Sequence, residues 1–563
     1  MKKNDIYKVE IESWSSEGEG ICHIDGMAVF VRGGVPGDKC SVRIIKVLKS
    51  RAIAIIEEMV SPSGVRIEND CPVFYKCGGC ALRHVRYEEE LRMKHGRVSD
   101  ALRRIGKIET PVEDVLPSPA TYRYRNKVIF QTSEVKGQPV VGFYRRGTHD
   151  VLSVDACLLQ GIGADKAADV VRRFVTDHNV PIYDEASGEG IIRYIYYRSS
   201  SLGTAQVCIV SAKKSFDGLD LLVEKLKEEC PELTGILLCY NPHKGNVALT
   251  EDIRVLWGDM YLTDKLCGLT FRISPLSFYQ VNHDQTENLY SLALDFAGLS
   301  GNETVFDLYC GIGTISLMMA RHAGKVIGVE IVPQAVEDAK VNADLNGITN
   351  AEFICADAAE AANIINSRGE RIDVVTVDPP RKGLSRDAIN AILRIAPTRV
   401  VYVSCDPATL ARDLNVFEEN GYAVQRVKPV DMFPRTAHGY SPIFGEHTKS
   451  RKYKGEKWTR KELRAIQCIL NATHGVVGPK YSFFKKAFGE SIEEFNKLLW
   501  MPEKYIIYRN ENIQNGNTSR WNELFSQLDK NSLNEFKALI GDNVFIGKRS
   551  NNKLIAELLS HYI

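Results

Sequence analysis

The stretch Val305-Phe-Asp-Leu-Tyr-Cys-Gly-Ile-Gly-Thr-Ile-Ser316 constrains the fold of this chain more than any other. Its apolar run predicts a buried strand over 304–308, its glycines a tight turn, and the residues from Thr314 a helix. In an open α/β sheet such a turn lies at the carboxyl end of a central strand, where ligands bind. Gly311 and Gly313 let backbone approach a ligand, and the first helical N–H groups point at it. About twenty residues on, Val326-Ile-Gly-Val-Glu330 predicts a second strand ending in a carboxylate, a group suited to a ribose diol. The glycines read G-x-G without the third glycine of a dinucleotide fingerprint. A nucleoside ligand lacking a pyrophosphate, such as S-adenosylmethionine, therefore fits better than NAD.

The pattern then repeats. Strands are expected over 351–355, 373–377 and 399–403, ending at Asp357, Asp378-Pro-Pro-Arg-Lys-Gly383 and Ser404-Cys-Asp-Pro407. Each places polar groups at its carboxyl end, as a ligand-binding α/β sheet does. Cys405 is the sharpest of them: a thiol just past a strand end, beside a prospective methyl donor, reads as a nucleophile. Uracil C5 needs such help, because it becomes nucleophilic only after a thiolate adds to C6. A base must then remove the C5 proton so that the thiolate can leave. Adenine N6 chemistry needs no cysteine and uses a different proline motif, whereas cytosine C5 chemistry stays open on this logic.

With 563 residues, 44% hydrophobic and 25% charged, the chain has the size and composition of a globular protein of roughly three or four domains. The first 60 residues alternate as five short strands, over 6–11, 20–24, 28–31, 39–47 and 52–59, with a hairpin turn at Asp25-Gly26. That predicts a small barrel of the OB type. Five Lys/Arg and no acid between 39 and 51 make one strand pair a candidate nucleic-acid face, or else a solvated edge. Net charge is +1, so a basic surface has to be local. The first residues lack the apolar core of a signal peptide, and no apolar run is long enough for a membrane span. A cytoplasmic protein with reduced thiols is expected.

Cys71, Cys77 and Cys80 stand at C-x5-C-G-G-C spacing, and Cys157 is the next cysteine downstream. Four thiolates suit a [4Fe–4S] cluster or zinc. Three local ligands and one remote favour the cluster, because zinc sites usually come as two C-x2-C pairs. A helix is predicted over 88–104. Tyr122-Arg-Tyr-Arg-Asn-Lys127 and Gly142-Phe-Tyr-Arg-Arg-Gly147 interleave aromatics with cations, as base-stacking surfaces do, but read more simply as amphipathic strands. Helices over 164–177 and 219–230 alternate with strands over 192–197, 206–211 and 235–240, which predicts a central α/β domain.

Taken together, Ser277-Phe-Tyr-Gln-Val-Asn282, Asp307-Leu-Tyr-Cys-Gly-Ile-Gly-Thr314, Gly328-Val-Glu330, Asp378-Pro-Pro-Arg-Lys-Gly383 and Ser404-Cys-Asp-Pro-Ala-Thr-Leu-Ala-Arg-Asp413, behind the cysteine loop and a TRAM-like front, resemble the RNA (uracil-5-)-methyltransferases. The resemblance covers residues 1–438 and is closest to the bacterial ribosomal RNA branch that carries an iron–sulfur cluster. It implies an RNA partner and four parts: a TRAM barrel over 1–60, a central α/β domain with the cluster loop over 61–265, a Rossmann-like methyltransferase domain over 266–445, and an unassigned, mainly helical basic extension over 446–563. It also implies S-adenosylmethionine held by Gln280, Tyr309, Glu330 and Asp378, with Glu330 at the ribose and Asp378 at the methionyl end. Asp357 would reach the adenine amino group. Cys405 would be the nucleophile, and Cys71, Cys77, Cys80 and Cys157 would ligate a structural, RNA-orienting cluster. The target uridine would leave its stack. Transfer RNA is the second substrate class.

The family continues F-P-x-T-x-H-V-E, with that Glu as the base, and then a strand. Here Phe433-Pro-Arg-Thr-Ala-His438 is followed by Gly439 and Tyr440, so Tyr440 replaces the base. Pro442 argues against a strand in Ser441-Pro-Ile-Phe-Gly445. The expectation is a missing base and a missing penultimate strand, as at a fusion or gene junction. If turnover persists, Glu446 or a water held by His438 would serve as base. If it does not, the protein is a module that binds RNA and cofactor. The residues from Glu446 onward carry twenty Lys/Arg against thirteen Asp/Glu, a basic balance suited to RNA or to a solvated domain. Helices are expected there over 460–472, 491–499 and 532–540.

Overall fold

The computed structural model describes residues 1–245, 247–438 and 443–447. Tyr440 and the expected helices of the basic extension lie outside the described residues. Alternating apolar residues near the N-terminus build six strands: β1 (Ile6–Glu10), β2 (Ser13–Trp14), β3 (Gly20–Ile24), β4 (Met27–Arg32), β5 (Lys39–Val47) and β6 (Arg51–Ser61). They run in the order β1-β5-β6-β4-β3-β2 around one core that includes Val29, Val31, Val42, Ile44 and Ala54. The two-residue β2 was not expected. Asp25 and Gly26 both adopt left-handed backbone, the conformation a two-residue hairpin turn demands. Of the five cations between 39 and 51, Lys39 faces Glu10 and Arg43 faces Glu57. That leaves Lys46, Lys49 and Arg51 as the uncompensated ones among the described residues.

Helix α1 (Tyr87–Ala101) passes into a turn of π-helix over Leu102–Gly106, so the single helix expected over 88–104 is two pieces. The central sheet comprises β7 (Lys127–Val135), β8 (Gln138–Tyr144), β9 (Val151–Ser153), β10 (Ile192–Ser199), β11 (Ala205–Ser211), β12 (Leu233–Tyr240) and β13 (Ile253–Gly258). Its order is β13-β12-β11-β10-β7-β8-β9. Helices α2 (Ile162–Asp177) and α3 (Leu219–Glu229) bury their apolar stripes on one face. The segment 122–126, read as part of an amphipathic strand, lies outside the sheet. Its backbone and side chains bond three separate loops: Tyr124 Oη donates to the Pro434 carbonyl (3.0 Å), and the Arg125 and Asn126 N–H groups donate to Leu159 and Val281.

A hairpin of β14 (Leu262–Leu266) and β15 (Leu269–Ile273) follows. The domain boundary expected at 265/266 falls inside it. The third sheet comprises β16 (Thr304–Leu308), β17 (Lys325–Glu330), β18 (Ala351–Cys355), β19 (Val374–Val377), β20 (Arg399–Tyr402), β21 (Tyr422–Val427) and β22 (Ile443–His447). Helices α4 (His283–Ala297), α5 (Thr314–Ala320), α6 (Pro333–Leu345), α7 (Ala358–Ser367), α8 (Arg386–Ile395) and α9 (Pro407–Glu419) connect or precede its strands. The order is β18-β17-β16-β19-β20-β22-β21. The strands are near-continuous apolar runs because both faces are covered. Val305, Val326, Val374 and Val401 point into one core, and Phe306, Ile327, Val375 and Val400 into the other. No helix among the described residues is long and apolar enough to cross a membrane.

Two expectations are overturned at the end of this sheet. The penultimate strand is present: β22 runs antiparallel between β20 and β21. Pro442 precedes its first residue, so no ladder bond inside the strand is lost to the proline. The register also pairs Glu446 with Arg399, at the start of β20, whereas Cys405 lies past its end. Glu446 therefore sits at the opposite edge from the nucleophile and is not a base for it.

Filling a gap between two strands makes β22 necessary to the sheet. Ending the chain after His438 should lower stability in urea by more than about 3 kcal/mol, from several backbone bonds each worth about 1 kcal/mol net. Ending it after His447 should keep that stability. Equal midpoints for the two truncations would contradict the role given to β22.

Candidate active site

The chain reverses its strand order at β16, whose neighbours are β17 and β19. In an open α/β sheet that point along the carboxyl edge is where a ligand crevice lies. Directly after β16, Tyr309, Gly311 and Gly313 take φ values of 66°, 54° and 82°. Left-handed backbone is ordinary for the glycines but strained for Tyr309, and such strain is concentrated at functional sites. A side chain at Gly313 would meet Phe353 and Ala339 at 3.1–3.2 Å. Glu330, at the end of β17, accepts from the N–H groups of Gly311 (3.2 Å), Ile331 (2.8 Å) and Val332 (3.0 Å). Tyr309 faces Asp413, Glu330 and Asp357, and burial pushes its phenol up. Asp357 spends one oxygen capping α7, accepting from Ala359 and Glu360.

Beneath the turn, Asp307 is a fully buried carboxyl that accepts from the Ser316 and Thr376 hydroxyls. Burial raises it to about 6, against the pull of those hydroxyls. Half-buried Asp378 is raised to about 7 by burial and then by Asp307. Asp378 in turn faces Cys405. Burial first, and Asp378 next, push the Cys405 thiol up, while Arg381 opposes them. The 378–384 loop is stitched to α9: Thr409 donates to the Arg381 carbonyl (3.2 Å), Arg412 to that of Lys382 (3.0 Å), and the Leu384 N–H to Asp413 (2.8 Å). Gly383 has φ 75°, and a Cβ there would lie 2.5 Å from the Asp413 carboxylate. Asp406 caps the same helix through Ala408 and Thr409. Cys405 is thus held between a strand end and a capped helix.

Gln280 is separate in the chain, in the loop that leads into α4. Its carbonyl accepts from Asn126 (3.0 Å), and its buried Nε2 has no partner. The next turn is fixed by Asn282, which caps α4 and donates to Ser118 Oγ (3.1 Å) and the Met432 carbonyl (3.2 Å).

The cysteine loop packs on the end of β8. The Gly78 N–H donates to the Tyr144 carbonyl (3.3 Å), Arg146 to the Cys80 carbonyl (2.7 Å), and the Gly79 N–H to Cys77 Sγ (3.3 Å). Burial pushes the Cys77, Cys80 and Cys157 thiols up. Cys71 adds to the rise at Cys77, Cys157 to that at Cys80, and Cys77 to that at Cys157. The fold thus couples Cys77, Cys80 and Cys157, with Cys71 coupled to Cys77 alone. Arg83, Arg125 and Arg146 oppose the rise, and Arg83 Nη1 and Nη2 and Arg125 Nε are buried donors without partners. Among the described residues, no group of three or more His, Cys, Asp or Glu side chains has the geometry of a metal site.

A family model described as tRNA (uracil-5-)-methyltransferase matches residues 258–447, and a TRAM domain model matches residues 2–56. An uncharacterized RNA methyltransferase of Clostridium tetani is 42% identical over 439 residues, spanning 78% of this chain and 95% of that protein. One from Halalkalibacterium halodurans is 41% identical over 78% of this chain and 96% of its own length. Among solved structures, the Pyrococcus abyssi tRNA (uracil-54, C5)-methyltransferase, in complex with S-adenosyl-L-homocysteine, superposes with a TM-score of 0.65. It is 25% identical and covers 78% of this chain and 99% of that one. The chain belongs to the RNA (uracil-5-)-methyltransferase family.

In this methyltransferase, sequence reading missed Asp307, Arg381, Asp413 and the pair Ile331–Val332. Asp307 carried a signal: it is the one carboxylate inside an otherwise apolar strand. Ile331 and Val332 are 66% and 50% exposed directly after Glu330. An open apolar pair at a strand end suits a flat ligand ring, and it could have been read from the order acid, Ile, Val. Arg381 and Asp413 act across loops, and no periodicity marks them.

The surroundings of Cys405 set its reactivity. Iodoacetamide should label this thiol slowly at neutral pH, with half-maximal rate above the ordinary thiol value near 9, since only the thiolate reacts. Arg381→Ala should shift that midpoint further up. A thiolate already populated at pH 7 in the ligand-free enzyme would contradict the assignment.

Proposed function

We propose that this protein transfers a methyl group from S-adenosylmethionine to C5 of a uridine in RNA, with Cys405 as nucleophile. The observation that carries the reading is the convergence of Cys405, Asp378 and Arg381 beside the Tyr309–Gly313 turn. The residues fit the donor. A turn of left-handed backbone admits close approach, Glu330 is positioned for a ribose, Ile331 and Val332 offer an apolar rest, and the orphan Gln280 Nε2 needs an acceptor. Gln280, Tyr309, Glu330 and Asp378 would hold the donor, which supplies an electrophilic methyl on a cationic sulfur.

The chain's own part is then specific. Arg381, together with the positive charge of the bound donor, shifts the Cys405 thiol toward thiolate. The thiolate adds to C6, the C5–C6 π electrons move toward O4, and C5 takes the methyl group. Loss of the C5 proton restores the double bond and expels Cys405. Asp378, while ionised, opposes the shift of Cys405 toward thiolate, so its protonation would favour the thiolate.

Cys71, Cys77, Cys80 and Cys157 would ligate a [4Fe–4S] cluster. What supports it is the donor set, with Cys77 coupled to Cys71, Cys80 and Cys157, and the unpartnered Arg83 and Arg125 donors that an anionic cluster would satisfy. When bound, the cluster would cross-link the 71–80 loop to the chain at Cys157. Protein purified without oxygen should hold on the order of four irons per chain, and Cys80→Ser should lose them. Zinc in their place would overturn this part.

The four-part division at about 60, 265 and 445 is offered with its second boundary moved ahead of the β14–β15 hairpin. Ribosomal RNA is the proposed substrate, on the barrel and cysteine loop together. A transfer RNA target is the second reading, favoured by the name of the matching family and by the Pyrococcus abyssi enzyme. Mass spectrometry of ribosomal and transfer RNA from cells lacking the gene decides between them. Loss of 5-methyluridine from ribosomal RNA is expected, loss from transfer RNA would select the second reading, and no loss from either would refute the activity.

A further inference from the structure

The C5 proton has to go to a base, and the register of β22 removes Glu446 from that role. The loop 431–438 approaches the site instead, and it is held from five sides. The Met432 carbonyl accepts from Asn282, that of Phe433 from Lys94 Nζ (3.2 Å), and that of Pro434 from Tyr124. The Arg435 carbonyl accepts from the N–H groups of Ala81 (2.9 Å) and Leu82 (3.1 Å), and the Ala437 carbonyl from Arg97 (2.6 Å). Arg435 itself has φ 69°, and its N–H donates to Glu90 (2.7 Å). A non-glycine residue there costs about 1–2 kcal/mol. The loop forms no strand, so this anchoring serves something other than a sheet.

The last described residue of the loop is His438. It is half-buried, its backbone N–H donates to Thr436 Oγ1 (3.3 Å), and its ring makes no hydrogen bond to a described residue. Among the described residues Arg381, Arg97 and Lys94 face it, opposed by Glu17, so burial first and then these cations pull the imidazole down and favour its neutral form. A neutral imidazole carries one unprotonated nitrogen, which accepts a proton. Arg381 faces both His438 and Cys405. Phe433 of this loop and Cys405 also pack against one core that includes Met432 and Val403, which places the loop and the nucleophile side by side.

We propose that His438 is the proton acceptor of the reaction and that Lys94, Glu90 and Tyr124 are positioning residues behind it. This rests on the uridine C5 methylation reading. The unprotonated ring nitrogen takes the C5 proton of the methylated adduct. The C5–H electron pair forms the C5–C6 double bond, the C6–S bond breaks, and its electrons leave with the Cys405 thiolate. The imidazolium then returns its proton to solvent.

The test uses the full chain and RNA carrying 5-tritiated uridine, isolated from cells lacking the gene. His438→Ala and His438→Gln should bind S-adenosylhomocysteine as the unaltered protein does and should accumulate a methylated Cys405–RNA adduct. Their tritium release should fall by about 100-fold or more, the usual worth of a general base. Added imidazole should restore release to His438→Ala but not to His438→Gln. Tritium release by His438→Ala close to the unaltered rate would overturn the proposal, as would a variant that binds S-adenosylhomocysteine yet forms no adduct. If the unaltered protein itself neither methylates nor forms an adduct, the methylation reading fails, a result distinct from a failure of His438 alone.

Discussion

The ammonium of Lys94, buried between two carboxylates, is the interaction on which the arrangement of this site depends. It donates to Glu90 (2.8 Å), Asp431 (2.5 Å) and the Phe433 carbonyl. Glu90 lies one helical turn away, while Asp431 belongs to the far end of the methyltransferase domain. Asp431 also accepts from Tyr87 (2.8 Å), whose oxygen accepts in turn from the Ser118 N–H (2.8 Å). Charges cannot be buried cheaply, and removing one partner strands the others. The group therefore specifies a single relation between α1 and the loop 431–438. Burial pushes the Glu90 carboxyl up, against the pull of Lys94 and Arg435.

From this point the geometry spreads in two directions. Toward the N-terminus, Val35 of the barrel packs with Leu82, Val85, Met93 and Ala437. Asp38 accepts from the N–H groups of Val35 (2.8 Å) and Ser63 (2.9 Å) and pairs with Arg66. The barrel, the segment after the cysteine loop and the loop 431–438 thus share one small core. Toward the crevice, Tyr124, Arg125 and Asn126 connect Pro434, the Cys157 loop and the carbonyl of Gln280. A segment that reads as an amphipathic strand is in fact the joint between the Cys157 loop and the loops that carry Pro434 and Gln280.

Local rules made much of the third sheet legible. Val305 to Ser316 announced a strand, a turn and a helix because strand, turn and helix leave different periods and glycine is needed where φ is positive. The polar strand ends were legible for the same reason, and Cys405 stood out through its position after one of them. Long-range relations were not legible. No periodicity links Lys94 to Asp431, which needs the fold to bring α1 against a distant loop. The hairpin β14–β15 escaped because its turn is Cys267-Gly268, with Cys267 at φ 51°, and cysteine is not a usual left-handed turn residue. The strand β22 escaped because Pro442 was read as lying inside it, although the ladder begins one residue later. Its register, not its composition, then decided against Glu446.

The central claim is covalent attack by Cys405 on a uracil ring whose C5 proton is afterwards removed. RNA containing 5-fluorouridine tests it most directly, since fluorine at C5 cannot leave as a proton and the adduct is trapped. With S-adenosylmethionine present, mass spectrometry of the trypsin- and nuclease-digested complex should find a methylated 5-fluorouridine nucleotide on Cys405. No adduct, or an adduct on another cysteine such as Cys310 or Cys355, would contradict it.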